Sequence, residues 1–176
     1  MPGTTEAPPG RAGALRILPV RAPGDLAEAA RLFEAYAASL DIDLAFQDFT
    51  GELAGLPGKY APPAGELLLA RGVDGEPLGC VALRPFAPGE VCELKRLYVV
   101  PAARGSGLGR ALVNAVLRAA ERIGYREMWL DTLPSMVEAV ALYRRAGFET
   151  IAPYYHNPIV GAVFLGRKLA PSPDGA

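Results

Sequence analysis

The chain has 176 residues, of which 51% are hydrophobic and 21% charged, and its formal net charge at pH 7 is -1. This length suits one domain with a sizeable core, and the composition is typical of a globular chain rather than a disordered one. Because neither sign of charge dominates, the sequence argues against nucleic acid and against an anionic membrane surface as partners.

Few residues of the chain are suited to metal binding or thiol chemistry. Cys80 and Cys92 lack metal-ligand or redox spacing and are expected in the core, in a reduced compartment. His156 is the only histidine, so no metal site and no Ser-His-Asp triad can be built around histidines. The N-terminal residues lack the apolar run of a signal peptide, and no stretch approaches the roughly 18 apolar residues of a membrane span. We therefore expect a cytoplasmic location.

The first half of the chain predicts strands with one long helix. Residues 1–13 and 170–176 are rich in Pro and Gly and are predicted to be disordered tails around a single domain, residues 14–169. A strand is predicted at 17–20, and the capping box of Asp25 and Glu28 predicts the start of a helix. Residues 41–64 predict a short helix and a long loop. Strands at 66–71 and 77–84 around Asp74-Gly75 predict a hairpin.

The second half alternates strands and helices. We predict a strand at 91–100, a loop at 101–109, a helix at 110–123, a strand at 127–133, and a helix between a Ser135–Glu138 capping box and Gly147. Two final strands are predicted at 148–155 and 162–169. This order indicates an α/β (α+β) domain with a mixed, mostly antiparallel central sheet flanked by helices.

A glycine-rich loop, RGSGLGR at 104–110, connects the long strand to its helix. Glycines let backbone N–H groups approach an anion, and the helix N-terminus adds its positive dipole end, so the loop predicts phosphate or pyrophosphate binding. The dinucleotide pattern G-x-G-x-x-G fails because Arg110 stands where the third glycine belongs, and no window matches a P-loop. The pattern that fits is R-x-x-G-x-G, formed by Arg104, Gly107 and Gly109.

Two stretches, CELKRLYVVPAARGSGLGRAL and ALYRRAGF, make residues 91–148 resemble the core of the GCN5-related N-acetyltransferases, the GNAT superfamily. The resemblance implies a GNAT fold, acetyl-CoA as cosubstrate without a metal, and transfer of the acetyl group to a primary amine by direct attack in a ternary complex. It also implies pantetheine pairing along the end of the strand, with the Val99 N–H as oxyanion donor, and pyrophosphate binding at the loop. The implied cofactor-binding residues are Leu97, Tyr98, Val99, Arg104, Gly105, Ser106, Gly107, Leu108, Gly109 and Arg110.

Two residues are candidate catalysts. The resemblance places Tyr143 beside the CoA sulfur, where a phenol with an ordinary pKa of about 10 could protonate the leaving thiolate. The alternative for Tyr143 is a core tyrosine on an amphipathic helix. Glu93 could accept the amine proton directly or through water, and strand alternation predicts that it shares a face with Leu97 and Val99. The alternatives for Glu93 are an ion pair with Lys95 and a substrate anchor.

The acceptor is predicted to be a small-molecule amine bound by Tyr36, Phe46, Tyr154 and Tyr155. Acidic side chains such as Asp41 and Asp43 could hold a cationic amine, and aromatic faces could add cation–π attraction; packing on the sheet is the alternative for Phe46. Two other functions stay open: acetylation of a protein N-terminus or lysine, and a non-catalytic acyl-CoA-binding sensor. A homodimer is compatible with the resemblance, but nothing in the sequence requires one.

Overall fold

The computed structural model describes residues 14–86 and 89–170, so the predicted tail 1–13 and all but the first residue of the predicted tail 170–176 lie outside the described residues. The strands are β1 Arg16–Pro19, β2 Glu66–Arg71, β3 Pro77–Phe86, β4 Val91–Val99, β5 Glu127–Thr132, β6 Glu149–Thr150 and β7 Val163–Lys168. The α-helices are α1 Pro23–Ala38, α2 Phe49–Ala54, α3 Leu108–Ile123 and α4 Val137–Arg145. Short 3-10 turns cover Ala45–Gln47, Gly58–Tyr60 and Pro101–Ala103.

All these strands form one sheet in the order β1-β2-β3-β4-β5-β7-β6. The β4–β5 pair is parallel and the other neighbouring pairs are antiparallel, which confirms the predicted mixed, mostly antiparallel sheet. The β4–β5 ladder covers only Val91–Glu93 of β4. Among the described residues, the second half of β4 therefore has no strand partner on the β5 side.

The sheet separates two hydrophobic cores. On one face α3 buries a continuous apolar stripe that includes Leu112 and Val116, as its helical periodicity predicts. On the other face α1 packs Phe33 against β2, β3 and Tyr60. Both cysteines are buried, free thiols, in agreement with the predicted core positions.

A β-bulge interrupts β4 at Arg96, whose φ of +58° lies in the left-handed region. Two residues of β4 stand here against one residue of β3, and a bulge of this kind shifts the alternation of side chains by one position. Leu97 and Val99 therefore pack into the α3 core, whereas Tyr98 packs into the α1 core. The prediction that Glu93 shares a face with Leu97 and Val99 is wrong, because strict alternation ends at the bulge.

Both predicted capping boxes are wrong in detail. Helix α1 begins at Pro23, a residue favoured in the first turn, and Asp25 accepts a hydrogen bond from the Ala22 N–H at 3.4 Å. Glu28 does not cap the helix but pairs with Arg71 of β2. Helix α4 begins at Val137 without a side-chain cap, so Ser135 does not start it.

The predicted strand 148–155 is largely a loop, since only Glu149–Thr150 form β6. The Ile151 N–H still donates to the Phe164 carbonyl at 3.0 Å, but Pro153 has no N–H to continue the ladder. The following residue, Tyr154, packs its ring against Trp129 and other aromatic side chains instead. In the part of the chain that is described, no helix is long and apolar enough to cross a membrane.

Candidate active site

A groove of about 940 Å³ opens where β4 and β5 separate, between the N-terminus of α3 and helix α4. Among the predicted cofactor-binding residues, those that line this groove are Leu97, Tyr98, Val99, Arg104, Gly105, Gly107, Gly109 and Arg110. Ser106 and Leu108 do not line it. The Ser106 hydroxyl donates to the Ala103 carbonyl at 2.6 Å and closes the turn, and Leu108 is a fully buried core residue.

The free edge of β4 forms one wall of the groove. The Val100 N–H donates to the Leu78 carbonyl of β3 at 2.9 Å, so alternation of the backbone turns the Val99 N–H towards the opposite edge, which faces the groove. The Val99 carbonyl on that edge accepts a hydrogen bond from Arg104 Nε at 3.1 Å. An extended ligand with amide groups can pair with such an edge as an added strand does.

The glycine-rich loop borders open space in the groove. Gly105 and Gly107 have φ values of +77° and +85°, which cost other residues about 1–2 kcal/mol. A Cβ built on either glycine would meet no described atom within 4 Å, whereas one on Gly109 would lie 3.2 Å from Leu142 of α4. The first N–H groups of α3 have no intrahelical partner and lie directly behind the loop. This arrangement fits an anionic group such as a pyrophosphate.

The groove ends in a smaller cavity of about 40 Å³, which we call the inner chamber. Its lining residues include Lys95, Arg96, Asp131 and Tyr143. The chamber and the groove share wall residues, among them Tyr36, so the two spaces adjoin. A ligand lying in the groove can therefore present one end to the chamber.

Tyr143 lies in the wall of the inner chamber. Its ring is buried and packs edge-on against Phe148, with centroids 5.8 Å apart. Its hydroxyl makes no hydrogen bond to any residue that the structure describes. Burial raises the pKa of the phenol well above its ordinary value, and Tyr36 and Asp131 raise it further, so the proton stays on Tyr143 at neutral pH.

Glu93 is only 1% exposed and lines neither the groove nor the chamber. Its Oε2 accepts from Arg84 Nε at 2.7 Å, and its Oε1 accepts from the Tyr154 hydroxyl at 3.0 Å and from Lys95 Nζ at 3.4 Å. The ion pair with Lys95, which was the alternative reading of this residue, is thus present. Because Glu93 does not line the chamber, a proton from an amine there can reach its carboxylate only through a bridging water molecule or after one of the present donors to Glu93 moves away.

Tyr154 and Tyr155 lie behind the chamber and line neither cavity. Their rings pack together with Phe164, and each hydroxyl donates a hydrogen bond to a carboxylate. Tyr154 donates to Glu93, and Tyr155 donates to Asp131 Oδ2 at 2.5 Å. The structure therefore gives these tyrosines contacts that fix the chamber wall, whereas Tyr36 and Phe46 line the chamber itself.

Sequence reasoning missed Arg96 and its partners. Arg96 Nε and Nη2 donate to both oxygens of Glu52 at 2.8 Å, Nη1 donates to Gln47 at 3.0 Å, and the guanidinium lies 5.1 Å from the Phe49 ring centroid. Burial raises the pKa of Glu52, but the hydrogen bond and charge of Arg96 outweigh burial, and the pKa lies below its ordinary value. These contacts tie the segment 47–52 to β4. The sequence does contain a signal for them. Lys95 and Arg96 are adjacent cations within a strand that must be buried, and buried charges need oppositely charged partners.

Asp131, at the end of β5, was also missed. Its Oδ1 accepts from Lys95 at 3.3 Å, and its Oδ2 accepts from Tyr155 and from Asn157 Nδ2, the latter at 2.9 Å. All of its acceptor atoms are therefore engaged. Within residues 14–86 and 89–170, no cluster of His, Cys, Asp and Glu side chains could hold a metal ion.

Comparison with known proteins identifies the family. The model of the acetyltransferase (GNAT) family matches residues 29–148. An uncharacterized N-acetyltransferase of Schizosaccharomyces pombe is 44% identical over 156 residues, which cover 89% of this chain and 96% of the relative. An aminoglycoside N(6′)-acetyltransferase type 1 of Klebsiella aerogenes is 38% identical over 113 residues, which cover 60% of this chain and 74% of the relative.

A solved structure gives the same result. A Klebsiella pneumoniae protein described as an acyl-CoA N-acyltransferase superimposes with a TM-score of 0.70 at 30% identity, over 89% of this chain and 98% of that chain. The family match spans the strand, the loop and the tyrosine helix that build the groove. The chain therefore belongs to the acetyltransferase (GNAT) family and is an N-acetyltransferase.

Proposed function

We propose that the enzyme transfers the acetyl group of acetyl-CoA to a primary amine of a small molecule by direct attack in a ternary complex. One observation carries the proposal: a groove borders the glycine-rich loop and a free strand edge and adjoins a chamber that Tyr143 lines. This order of features matches the order of pyrophosphate, pantetheine and thioester along acetyl-CoA.

Each part of the groove suits one part of acetyl-CoA. The loop around Gly105 and Gly107, with the N-terminus of α3, suits the pyrophosphate, and Arg104, Arg110 and Arg145 add positive charge to the groove wall. The free edge at Val99 suits the pantetheine amides, which would extend the sheet as an added strand. The thioester then lies towards the chamber and Tyr143.

The chemistry follows from this placement. The amine lone pair attacks the thioester carbonyl carbon, and the Val99 N–H is the proposed donor to the developing oxyanion. When the C–S bond breaks, its electron pair goes to sulfur and Tyr143 donates its proton to the thiolate. The proton lost by the amine goes to water or, through water, to Glu93, because Glu93 does not line the chamber. Alignment of the amine against the thioester supplies much of the acceleration.

Two features favour a small acceptor. The inner chamber has a volume of only about 40 Å³, and Phe46 and Gln47 form part of its wall. The Klebsiella aerogenes relative is named for acetylation of an aminoglycoside, which is a small-molecule amine. A cytoplasmic location belongs to the proposal as well, since both cysteines are buried thiols without a disulfide.

Calorimetric titration of acetyl-CoA, with ATP and NAD as controls, tests the donor. We expect micromolar binding of acetyl-CoA and none of the controls, followed by CoA release when amines are added. Failure of acetyl-CoA to bind, or preferential binding of ATP or NAD, would refute the assignment of the loop and with it the proposed reaction.

A further inference from the structure

The wall of the inner chamber contains two cations, Lys95 and Arg96, and one carboxylate that is already hydrogen-bonded, Asp131. Asp131 is the only carboxylate among the described residues that line the chamber, and both of its oxygens already accept hydrogen bonds. Asp41 lines the outer groove, and Asp43 accepts from the Ala45 N–H at 2.8 Å in an exposed turn. The only carboxylate that the described part of the chamber offers to an ammonium group is therefore one already bound by Lys95, Tyr155 and Asn157.

The two cations of the chamber retain free N–H groups. Lys95 Nζ uses two of its three N–H groups, on Glu93 and Asp131, as far as the described residues show. Arg96 uses three of its five, two on Glu52 and one on Gln47. Both residues line the chamber, so a ligand there lies beside two side chains whose donors are not all in use.

The contacts of Lys95 are long for an ion pair. Its Nζ lies 3.4 Å from Glu93 and 3.3 Å from Asp131, whereas charge-assisted N–H···O bonds are typically about 2.7–2.9 Å. The Lys95 ammonium is thus held less tightly by its two carboxylates than in an ion pair of ordinary length. Arg96, by contrast, is held firmly by Glu52 at 2.8 Å and offers its free N–H groups from a fixed position.

We propose that the acceptor carries a carboxylate beside its amine, as an α-amino acid does, and that Lys95 and Arg96 bind this carboxylate. The inference rests on the proposed function, because it concerns the acceptor of the same reaction. The small volume of the chamber requires the amine and the carboxylate to be close, which one intervening carbon satisfies. Lys95 and Arg96 are thereby specificity-determining residues for the acceptor, and Tyr143 faces the thioester from the same chamber.

The test compares acids with their carboxylate-free analogues. Wild-type protein saturated with acetyl-CoA is assayed for CoA release with a panel of α-amino acids, each beside its amide and its decarboxylated amine. We expect kcat/KM for the best acid to exceed that of both analogues by at least about tenfold, the effect of one charge-assisted contact. Equal or faster acetylation of the amide or the decarboxylated amine overturns the inference.

Gln47→Glu adds a second, independent measurement. The variant keeps the shape of the side chain and the acceptor for Arg96, but it places a competing carboxylate in the chamber wall. We expect KM for the acid to rise by about tenfold while KM for the amide changes by less than about twofold. Asn114→Asp, at an exposed position of α3 outside both cavities, adds the same negative charge as a control and should leave both KM values unchanged. An equal rise for acid and amide overturns the inference.

Failure of this inference is distinguishable from failure of the proposed function. If acetyl-CoA binds and other amines are acetylated but no acid is, the carboxylate is not recognised and only this inference falls. If acetyl-CoA does not bind in the calorimetric titration, the donor assignment and the acceptor inference both fall.

Discussion

Replacing Tyr143 with phenylalanine removes a single oxygen from the inner chamber. We expect kcat to fall by about 100-fold or more, equivalent to about 2.7 kcal/mol, because general acid catalysis typically contributes that much. Since burial raises the pKa of the phenol, it stays protonated across the neutral range, and the loss should be similar from about pH 6 to pH 9. CoA release under saturating acetyl-CoA and amine measures kcat.

Stability should change little in the Tyr143→Phe protein. The ring keeps its contact with Phe148, and within the described chain the lost hydroxyl leaves no hydrogen-bond partner unsatisfied. The free energy of unfolding, measured in urea, should therefore stay within about 0.5 kcal/mol of the wild-type value. The dissociation constant for acetyl-CoA should also be unchanged, because the phenol acts on the leaving sulfur and not on binding.

Tyr125→Phe is the matched control, because it should lower the stability of the protein and leave kcat unchanged. Tyr125 is also buried, but it lines neither cavity and its hydroxyl donates to the Ala64 carbonyl at 2.7 Å. This variant should lose about 1–3 kcal/mol of stability and keep its kcat. A kcat for Tyr143→Phe within about threefold of wild type would refute the general-acid role.

The remaining predictions concern the loop, one ion pair and the thiols. Gly107→Ala and Gly75→Ala, both at a φ of +85°, should each cost about 1–2 kcal/mol in urea unfolding, but only Gly107→Ala should weaken acetyl-CoA binding in calorimetry, by about tenfold. Glu52→Gln should cost about 3 kcal/mol at pH 7. Because the folded pKa of Glu52 lies below its unfolded value of about 4.3, its contribution is present above that pH and is lost as the pH falls through the folded pKa, so the difference from wild type in urea titrations should shrink as the pH is lowered below about 4.3. Burial raises the pKa of the Cys80 thiol and raises that of Cys92 to about 12. Neither thiol should therefore react with a thiol reagent at about pH 8 until the protein is unfolded. Reaction in the folded state would contradict their burial.

The position of the glycine-rich loop could be predicted because its requirements are local. A left-handed backbone at Gly105 and Gly107 needs glycine, and an apolar stripe of period 3.6 identifies the helix that follows. Both features can be recognised in a window of a few residues. The start of α3 is an exception: it begins at Leu108 and not at the predicted position 110, since Gly107 already serves as its N-cap.

Local signals failed where a distant residue competes for the same side chain. Glu28 stands in a capping-box pattern, but Arg71, which lies 43 positions away in the chain, takes its carboxylate. Tyr154 stands in a stretch that predicts a strand, but Trp129 and Phe164 draw its ring into an aromatic cluster. In both cases a tertiary contact outweighs a weak local preference.

The sequence by itself determined the order of strands and helices, the glycine-rich loop and the acetyltransferase family, since each depends on short motifs or on the periodicity of neighbouring residues. Only the tertiary structure decided the composition of the inner chamber. Its ion pairs join Lys95 to Asp131 across 36 positions and Arg96 to Glu52 across 44. The bulge at Arg96 sets which face of the sheet each of these side chains occupies, and the early end of the β4–β5 ladder opens the groove. Such long-range pairings arise from the packing of the whole sheet, so no window of the sequence contains them.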